Sequence, residues 1–222
     1  MKREAFFDRV RNAVRSAQRY RVNVQQFADR PPRSVQGGDL AARLAQEITT
    51  VGGTAHVAED LDDARRYARG LFAENNVQRA LCWQHSALEE LRIDELLDEA
   101  DVTAIDHATL AGLPREAQRR EMLAADLGIT GVDFAVAETG SLLLAAAAGR
   151  ERVAALVPPV HFAIVRCQQI VADLFDAFER FDPRALPSNL TFITGPSKTG
   201  DIELQLTTGV HGPGAWHVLV VP

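Results

Sequence analysis

The sequence is poor in cysteine, with two residues, Cys82 and Cys167, among 222. They form no CxxC pair, so by themselves they cannot ligate an iron–sulfur cluster or complete a tetrahedral zinc site. Because both lie in apolar runs, we expect two buried, reduced thiols. A chain of this length can bury one hydrophobic core without disulfide staples.

Long hydrophobic runs are absent as well. The most apolar stretch, residues 134–149, is too short to cross a bilayer and contains Glu138. The first residues lack the apolar segment of a signal peptide. We therefore expect a cytoplasmic protein without a membrane span. The 24 basic and 30 acidic residues give a net charge of −6, which disfavours nucleic acid as a partner.

Positive charge is concentrated in residues 1–33, which hold nine basic and three acidic side chains. Apolar residues from Phe6 to Val24 recur at helical spacing, and Pro31-Pro32 interrupts the pattern. The sequence therefore predicts a basic amphipathic helix over 1–30 and an α/β domain over 31–222. The helix could pack on the acidic body of its own chain, dock on a partner subunit, or bind nucleic acid or a membrane.

The first half of the domain alternates helical and strand-like segments. The patterns predict helices at 39–51, 60–74, from a capping box at Ser86–Glu89 onward, and from Pro114 to about Leu127. Predicted strands lie at 54–58, 77–83 and 102–105. This alternation is typical of a parallel sheet covered by helices.

The second half is richer in strands. The pattern predicts strands at 131–137, 142–147, 153–157, 160–166, 190–194, 201–206 and 216–221, with one helix at 168–181. Residues 201–206 could also form a short helix. Together the two halves predict a mixed-sheet, three-layer α/β domain.

Several common catalytic motifs are missing. The segment Gly195–Gly200 has the glycine spacing of a P-loop, but Asp201-Ile202 stands where lysine and a hydroxyl residue must follow. The sequence contains no GxGxxG, HExxH or GxSxG motif. A nucleotide-binding P-loop, a Rossmann site, a zincin and an α/β-hydrolase are therefore disfavoured.

Three polar turns remain, each next to an apolar strand. The first consists of Glu138, Thr139, Gly140 and Ser141. Burial at a strand end would raise the pKa of Glu138 and suit it to proton transfer or to attack on a carbonyl group. The alternative is a tight turn with a solvated carboxylate.

The second turn contains Gly195, Pro196, Ser197, Lys198 and Thr199. Its backbone amides, hydroxyl groups and single cation are the parts of an anion cradle. This cation is one of only two lysines, in a chain that otherwise uses arginine. A solvated loop explains the composition equally well.

The third turn places His211 between Gly209 and Gly212, where it is free to reach a ligand or to titrate near neutrality. Asp201 and Glu203 share one face of the predicted strand and could join this histidine around a divalent metal. No specific spacing supports such a site, so we expect no metal. The other five histidines, His56, His85, His107, His161 and His217, are expected to be structural.

In this order the segments Glu-Thr-Gly-Ser (138–141), Thr-Gly-Pro-Ser-Lys-Thr-Gly-Asp-Ile-Glu (194–203) and Gly-Val-His-Gly-Pro (209–213) resemble the lactate utilization protein C family, the LUD domain. The similarity covers roughly residues 31–222. It implies a fold similar to the sugar isomerase and CoA-transferase (NagB/RpiA) superfamily. The family usually has arginine in place of Lys198 and alanine in place of Gly200.

The resemblance implies a component of a system that oxidises L-lactate to pyruvate. This chain would be a subunit without a cofactor, would bind a small carboxylate or phosphate ligand, and would work with iron–sulfur partner proteins. A second hypothesis is a stand-alone isomerase or CoA-transferase-like enzyme that binds a sugar phosphate, an acyl-CoA or a small carboxylate, with Glu138 as nucleophile or base. A third is a scaffold with a vestigial pocket. The first two require the three turns to converge on one pocket.

Overall fold

A computed structural model of the chain describes residues 3–17, 38–181, 186–200, 206–209 and 211–222. The chain divides into two units, residues 1–33 and residues 34–222. In the first unit, helix α1 (Arg3–Ala17) exposes apolar side chains, namely Phe6, Phe7, Val10 and Val14. The remainder of the predicted amphipathic stripe lies outside the described residues.

The second unit contains eight further helices and twelve strands among its described residues. The helices are α2 (Leu40–Thr50), α3 (Leu61–Glu74), α4 (Ser86–Leu91), α5 (Ile93–Glu99), α6 (His107–Ala111), α7 (Arg115–Leu123), α8 (Val153–Leu156) and α9 (Leu174–Glu179). The strands are β1 (Thr54–Val57), β2 (Arg79–Cys82), β3 (Thr103–Ile105), β4 (Leu127–Thr130), β5 (Phe134–Val136), β6 (Ser141–Ala145), β7 (Val160–Arg166), β8 (Ile170–Val171), β9 (Leu190–Ile193), β10 (Lys198–Gly200), β11 (Leu206–Thr208) and β12 (Ala215–Val221).

Six strands form the central sheet, in the order β1-β12-β7-β4-β2-β3, and every pairing in it is parallel. Parallel sheets are normally buried on both faces. Accordingly, all four residues of β4 and six of the seven residues of β7 are buried.

Two smaller sheets carry the antiparallel pairs. Strands β8, β5, β6 and β9 form a four-stranded mixed sheet in that order, and β10 pairs with β11. The prediction of a mixed α/β class is therefore confirmed, but the mixed sheet is the smaller, four-stranded one. The central sheet is wholly parallel, and the antiparallel hairpins form sheets of their own.

Helices pack on both faces of the central sheet. On one face, the Tyr67 hydroxyl on α3 lies 3.3 Å from Nδ1 of His217, and the Tyr67 ring contacts that of Phe162. On the opposite face, the backbone of α8 lies against Gly128 in β4, and α2 contacts β1 and β12. The domain thus has a layer of helices on each side of the sheet.

Several predicted segments differ from the structure because short apolar runs do not distinguish strands from helices. The strand predicted at 153–157 is helix α8. The helix predicted to reach Leu127 ends at Leu123, and the next apolar run is the buried strand β4. The helix predicted at 168–181 is a 3-10 turn, strand β8 and the shorter helix α9. The strand predicted at 201–206 lies almost wholly outside the described residues.

The capping box predicted at Ser86 is also wrong. The N-cap of α4 is His85, whose ring accepts a hydrogen bond from the backbone N–H of Ala87. The hydroxyl of Ser86 instead accepts a hydrogen bond from the guanidinium of Arg166. The helix starts predicted at residues 39 and 60 are correct, because Asp39 and Asp60 cap α2 and α3 through their side chains. Among the described helices, none has both the length and the apolar character needed to span a bilayer.

The two cysteines differ in environment, which corrects the prediction that both are buried. Cys167 is exposed, whereas Cys82 is half-buried and burial raises the pKa of its thiol to about 12.

Because the thiolate is the reactive form, we expect only Cys167 to react rapidly with a thiol reagent such as DTNB in mildly alkaline buffer. Cys82 should react after unfolding. The variant Cys167→Ser should lose the fast phase, and a fast phase that survives would contradict this assignment.

Candidate functional site

The first and second polar turns are joined by a chain of hydroxyl groups. The Ser141 Oγ lies 2.7 Å from the Thr194 Oγ1, and the Thr139 Oγ1 lies 2.8 Å from the same Ser141 oxygen. Ser141 begins β6 and Thr194 directly follows β9, and these two strands are antiparallel neighbours. The strand pairing therefore brings the two turns together.

The second and third turns are joined through Ser197. Its backbone N–H donates to the Pro213 carbonyl at 2.8 Å, and its hydroxyl donates to the His211 carbonyl at 2.7 Å. The Gly209 N–H donates to the Ser197 carbonyl at 2.8 Å. All three predicted turns are thus connected to one another by hydrogen bonds.

The C-terminal end of α2 lies directly against the first two turns. A Cβ atom on Gly140 would stand 2.8 Å from the backbone of Glu47, and one on Gly195 would stand 2.8 Å from the Val51 carbonyl oxygen. Both glycines have positive φ angles, 67° and 92°. Only glycine combines this conformation with so close an approach to a helix.

Lys198 also contacts the end of α2. Its Nζ donates to the Val51 carbonyl at 2.8 Å. This carbonyl belongs to the last turn of the helix, where carbonyl groups lack helical partners and a cation is favourable. In this structure the lysine therefore caps a helix, and its proposed role in an anion cradle stays a prediction.

A cavity of about 200 Å³ lies beside the second and third turns. Both turns contribute to its wall, with Thr194, Gly195, Pro196 and Ser197 from one and His211, Gly212 and Pro213 from the other. Apolar side chains from α8 and β9 complete this part of the wall, namely Ala155, Leu156, Phe192 and Ile193. Of the residues predicted for the site, five line this cavity, and each comes from the second or third turn.

Glu138 is not among the residues that line this cavity. Its side chain is half-buried, and its backbone N–H donates to the Ala172 carbonyl at 3.0 Å. Asp201 and Glu203 lie outside the described residues, and nothing is described of the Thr199 side chain. Among the described residues, no group of three or more His, Cys, Asp or Glu side chains could hold a metal ion. The catalytic role of Glu138 stays a prediction.

The inner wall of the cavity is formed by His161 and Trp216, which the sequence analysis did not assign to the site. They are paired residues on the adjacent parallel strands β7 and β12, so their side chains emerge on the same face of the sheet. Both are almost fully buried, with 0% and 2% of their surface exposed. A lone histidine in the apolar run 160–165 was the available signal, but its proximity to Trp216 follows only from the strand order.

Both buried rings leave a nitrogen unpaired. His161 Nε2 lies 2.9 Å from the Thr130 Oγ1, but neither its Nδ1 nor the Trp216 Nε1 has a hydrogen-bond partner among the described residues. Burial lowers the pKa of His161 to about 3, so the ring is neutral at physiological pH. The wall therefore presents two neutral nitrogens at a place where unpaired polar atoms are rare.

A second, larger cavity of about 570 Å³ lies at the carboxyl ends of β2 and β3. His85, Arg92 and Asp106 are among its lining residues. Burial lowers the pKa of His85, whose ring already accepts the Ala87 N–H. No sequence motif indicates this cavity, and the mixed charges of its lining select no ligand class.

The sequence profile of the LUD domain matches residues 41–221. A protein of Halalkalibacterium halodurans named Lactate utilization protein C is 29% identical over 64% of this chain and 62% of its own length. The protein of the same name from Anoxybacillus flavithermus is 28% identical over 95% of this chain and 94% of its own length.

Two further matches bear on fold and partners. A Lactate utilization protein B from Shouchella clausii is 23% identical over 81% of this chain but only 47% of its own length. Among solved structures, a DUF162 family protein from Deinococcus radiodurans matches with a TM-score of 0.55 and 22% identity, over 82% of this chain and 96% of the other. That likeness concerns the fold alone. The chain spans less than two thirds of the Halalkalibacterium and Shouchella proteins.

Proposed function

Because the chain belongs to the LUD domain family, as its resemblance predicted, we propose that it is a component of an L-lactate utilization system that oxidises lactate to pyruvate. The observation that carries this proposal is the match to the Anoxybacillus protein named Lactate utilization protein C, which extends over almost the full length of both chains. The proposal extends to the fold, which we assign to the NagB/RpiA/CoA-transferase-like group. The parallel central sheet with helices on both faces supports that assignment.

In this proposal the chain is a subunit without an iron–sulfur cluster. Its two cysteines lie on different elements, Cys82 in β2 and Cys167 in a 3-10 turn, and clusters normally need four cysteine ligands. The donor set therefore does not fit a cluster. Electron transfer is assigned to iron–sulfur partner proteins, and the similarity to a protein named Lactate utilization protein B supports partners from the same system.

The residues of this chain would bind and orient a small carboxylate. The cavity beside the second and third turns has a size suited to such a ligand, and its wall combines hydroxyl groups, backbone amides and apolar side chains. Small-ligand sites commonly combine an apolar wall with a few fixed polar groups. The hydrogen bonds through Ser197 hold the two turns in a fixed relation, so the site is largely preformed.

Reconstitution with and without this chain tests the proposal. The iron–sulfur partner proteins of the same organism are mixed with L-lactate and an electron-accepting dye, and dye reduction is followed. We expect lactate-dependent reduction to fall to background when this chain is omitted and to return when it is added back. D-lactate and a heat-denatured sample of the chain serve as controls. Activity that is unchanged by omission would refute the proposal.

The stand-alone isomerase or CoA-transferase hypothesis predicts a different result. Sugar phosphates or acyl-CoAs would raise the melting temperature of the isolated chain, by the equivalent of about 2.7 kcal/mol at a hundredfold excess over Kd. Glu138→Ala would alter that response. If such ligands stabilise the chain and its omission leaves lactate oxidation intact, this hypothesis replaces the first.

A further inference from the structure

Two buried nitrogens without hydrogen-bond partners belong to side chains that line the inner wall of the cavity. They are Nδ1 of His161 and Nε1 of Trp216, on paired residues of β7 and β12. We infer that they bind the oxygen at C2 of a 2-hydroxy or 2-oxo acid, with the carboxylate of that acid at the rim formed by the second and third turns. This assignment rests on the proposed function and specifies which atoms of this chain recognise its substrate.

Leaving these two nitrogens unpaired costs free energy, which favours a ligand that pairs with them. A buried polar group without a hydrogen bond destabilises a fold. Both groups belong to paired residues on neighbouring strands, and among the described residues they account for two of the three buried side-chain nitrogen or oxygen atoms without a partner. In this inference, a ligand oxygen from the cavity supplies the missing partner of both.

The chemistry of the pair is the second argument. The Trp216 indole N–H is always a donor, whereas a neutral histidine has one donor and one acceptor nitrogen. The second ring nitrogen of His161 faces the Thr130 hydroxyl, which can either donate or accept. His161 Nδ1 can therefore accept from an alcohol, or donate to a ketone after a change of tautomer. The same two rings can therefore bind either the hydroxyl group of a 2-hydroxy acid or the carbonyl group of a 2-oxo acid.

The rest of the cavity fits the rest of such a molecule. Its volume of about 200 Å³ is below the range of about 300–1,000 Å³ that is typical of drug-sized sites, so the ligand has few carbon atoms. Leu156 and Phe192 offer apolar surface for a short alkyl group. The deep wall is uncharged, so the carboxylate belongs at the rim, near the Ser197 hydroxyl and exposed His211.

The two tryptophans make this inference directly measurable. Trp83 and Trp216 are the only tryptophans in the chain, so a ¹H–¹⁵N spectrum contains two indole cross-peaks. The Trp83 Nε1 already donates to the Glu151 carbonyl at 2.9 Å, which makes its cross-peak an internal control. A Trp83→Phe variant assigns the two peaks. L-lactate, pyruvate and propionate are then titrated into the full chain. Propionate matches the size of the other two but lacks the oxygen at C2.

We expect L-lactate and pyruvate to shift the Trp216 cross-peak in a saturable way and to leave that of Trp83 in place. Propionate should bind at least about tenfold more weakly, because a site built to hydrogen-bond an oxygen discriminates against an analogue without it. His161→Phe should abolish the response. If that variant does not fold, the relative affinities of the three acids for the unaltered chain test the inference.

Two outcomes would overturn the inference. In one, neither L-lactate nor pyruvate moves the Trp216 cross-peak, which means that the nitrogens have a structural role or bind water only. In the other, propionate moves it as strongly as lactate, which removes the role of the C2 oxygen. The proposed function fails separately: a Trp216 response together with dye reduction that does not need this chain would refute that function alone.

Discussion

Replacing Gly128 with alanine is expected to destabilise the protein by about 3 kcal/mol or more, which is the upper end of the usual range for overpacking a core. Gly128 lies in β4, inside the central sheet, where α8 crosses the strand. A Cβ atom at this position would stand 1.7 Å from the Ala154 carbonyl oxygen and 2.7 Å from the Ala154 carbonyl carbon. Both are backbone atoms, so no change of side-chain rotamer can relieve the clash.

Gly70 provides the matched control for this substitution. It lies on the exposed side of α3, and a Cβ atom there would meet nothing within 4 Å. Gly70→Ala should stabilise the protein by about 0.5–1 kcal/mol, because alanine is the better helix former. Urea unfolding followed by circular dichroism measures both variants against the unaltered chain. If the midpoint of Gly128→Ala equals that of the unaltered protein, α8 does not pack as described.

Acid is expected to weaken the fold through His161. In the unfolded chain this histidine has an ordinary pKa of 6.5, whereas burial lowers the pKa to about 3 in the folded protein. Between these values the unfolded state binds a proton that the folded state does not bind. The contribution of His161 is therefore fully present above pH 6.5 and is lost progressively as the pH falls toward about 3, at up to about 1.4 kcal/mol per pH unit.

Two variants separate this effect from other causes. His161→Gln removes the titrating ring, so the free energy of unfolding should depend less steeply on pH between 6.5 and about 4. Thr130→Val keeps the ring but removes its hydroxyl partner, so the slope should persist while stability falls by about 1–3 kcal/mol at every pH. Denaturant titrations across this range measure both. In His161→Gln a smaller dependence on pH should remain, because burial also lowers the pKa values of His85 and His217. A slope unchanged by His161→Gln would contradict the buried, neutral state of this ring.

The elements that the sequence predicts well are those with local signals. Asp39 and Asp60 each precede an amphipathic run, and both cap a helix in the structure through their side chains. The hairpin around Gly140 was also predictable, because a short polar turn between two apolar runs has few other conformations. In such cases the interaction that decides the structure lies within a few residues of the chain.

The elements that the sequence misses depend on distant contacts. Strand β4 is buried on both faces, so it shows no alternation of polar and apolar residues, and it fell between a helix predicted to end at about Leu127 and a strand predicted from residue 131. The same holds for His161 and Trp216, which become neighbours only because β12 pairs with β7. The three polar turns could be identified from the sequence, but the cavity wall formed by His161 and Trp216 could not.

The position of β12 has a consequence for synthesis on the ribosome. Among the described strands it is the last in the chain, yet it lies between β1, the first, and β7. While residues 215–221 remain in the exit tunnel, β1 has no partner in the sheet and the edge of β7 that pairs with β12 is unpaired. A nascent chain stalled at that stage would therefore display an unfilled gap in its hydrophobic interior, which is a feature that chaperones bind, and the cavity would not yet exist.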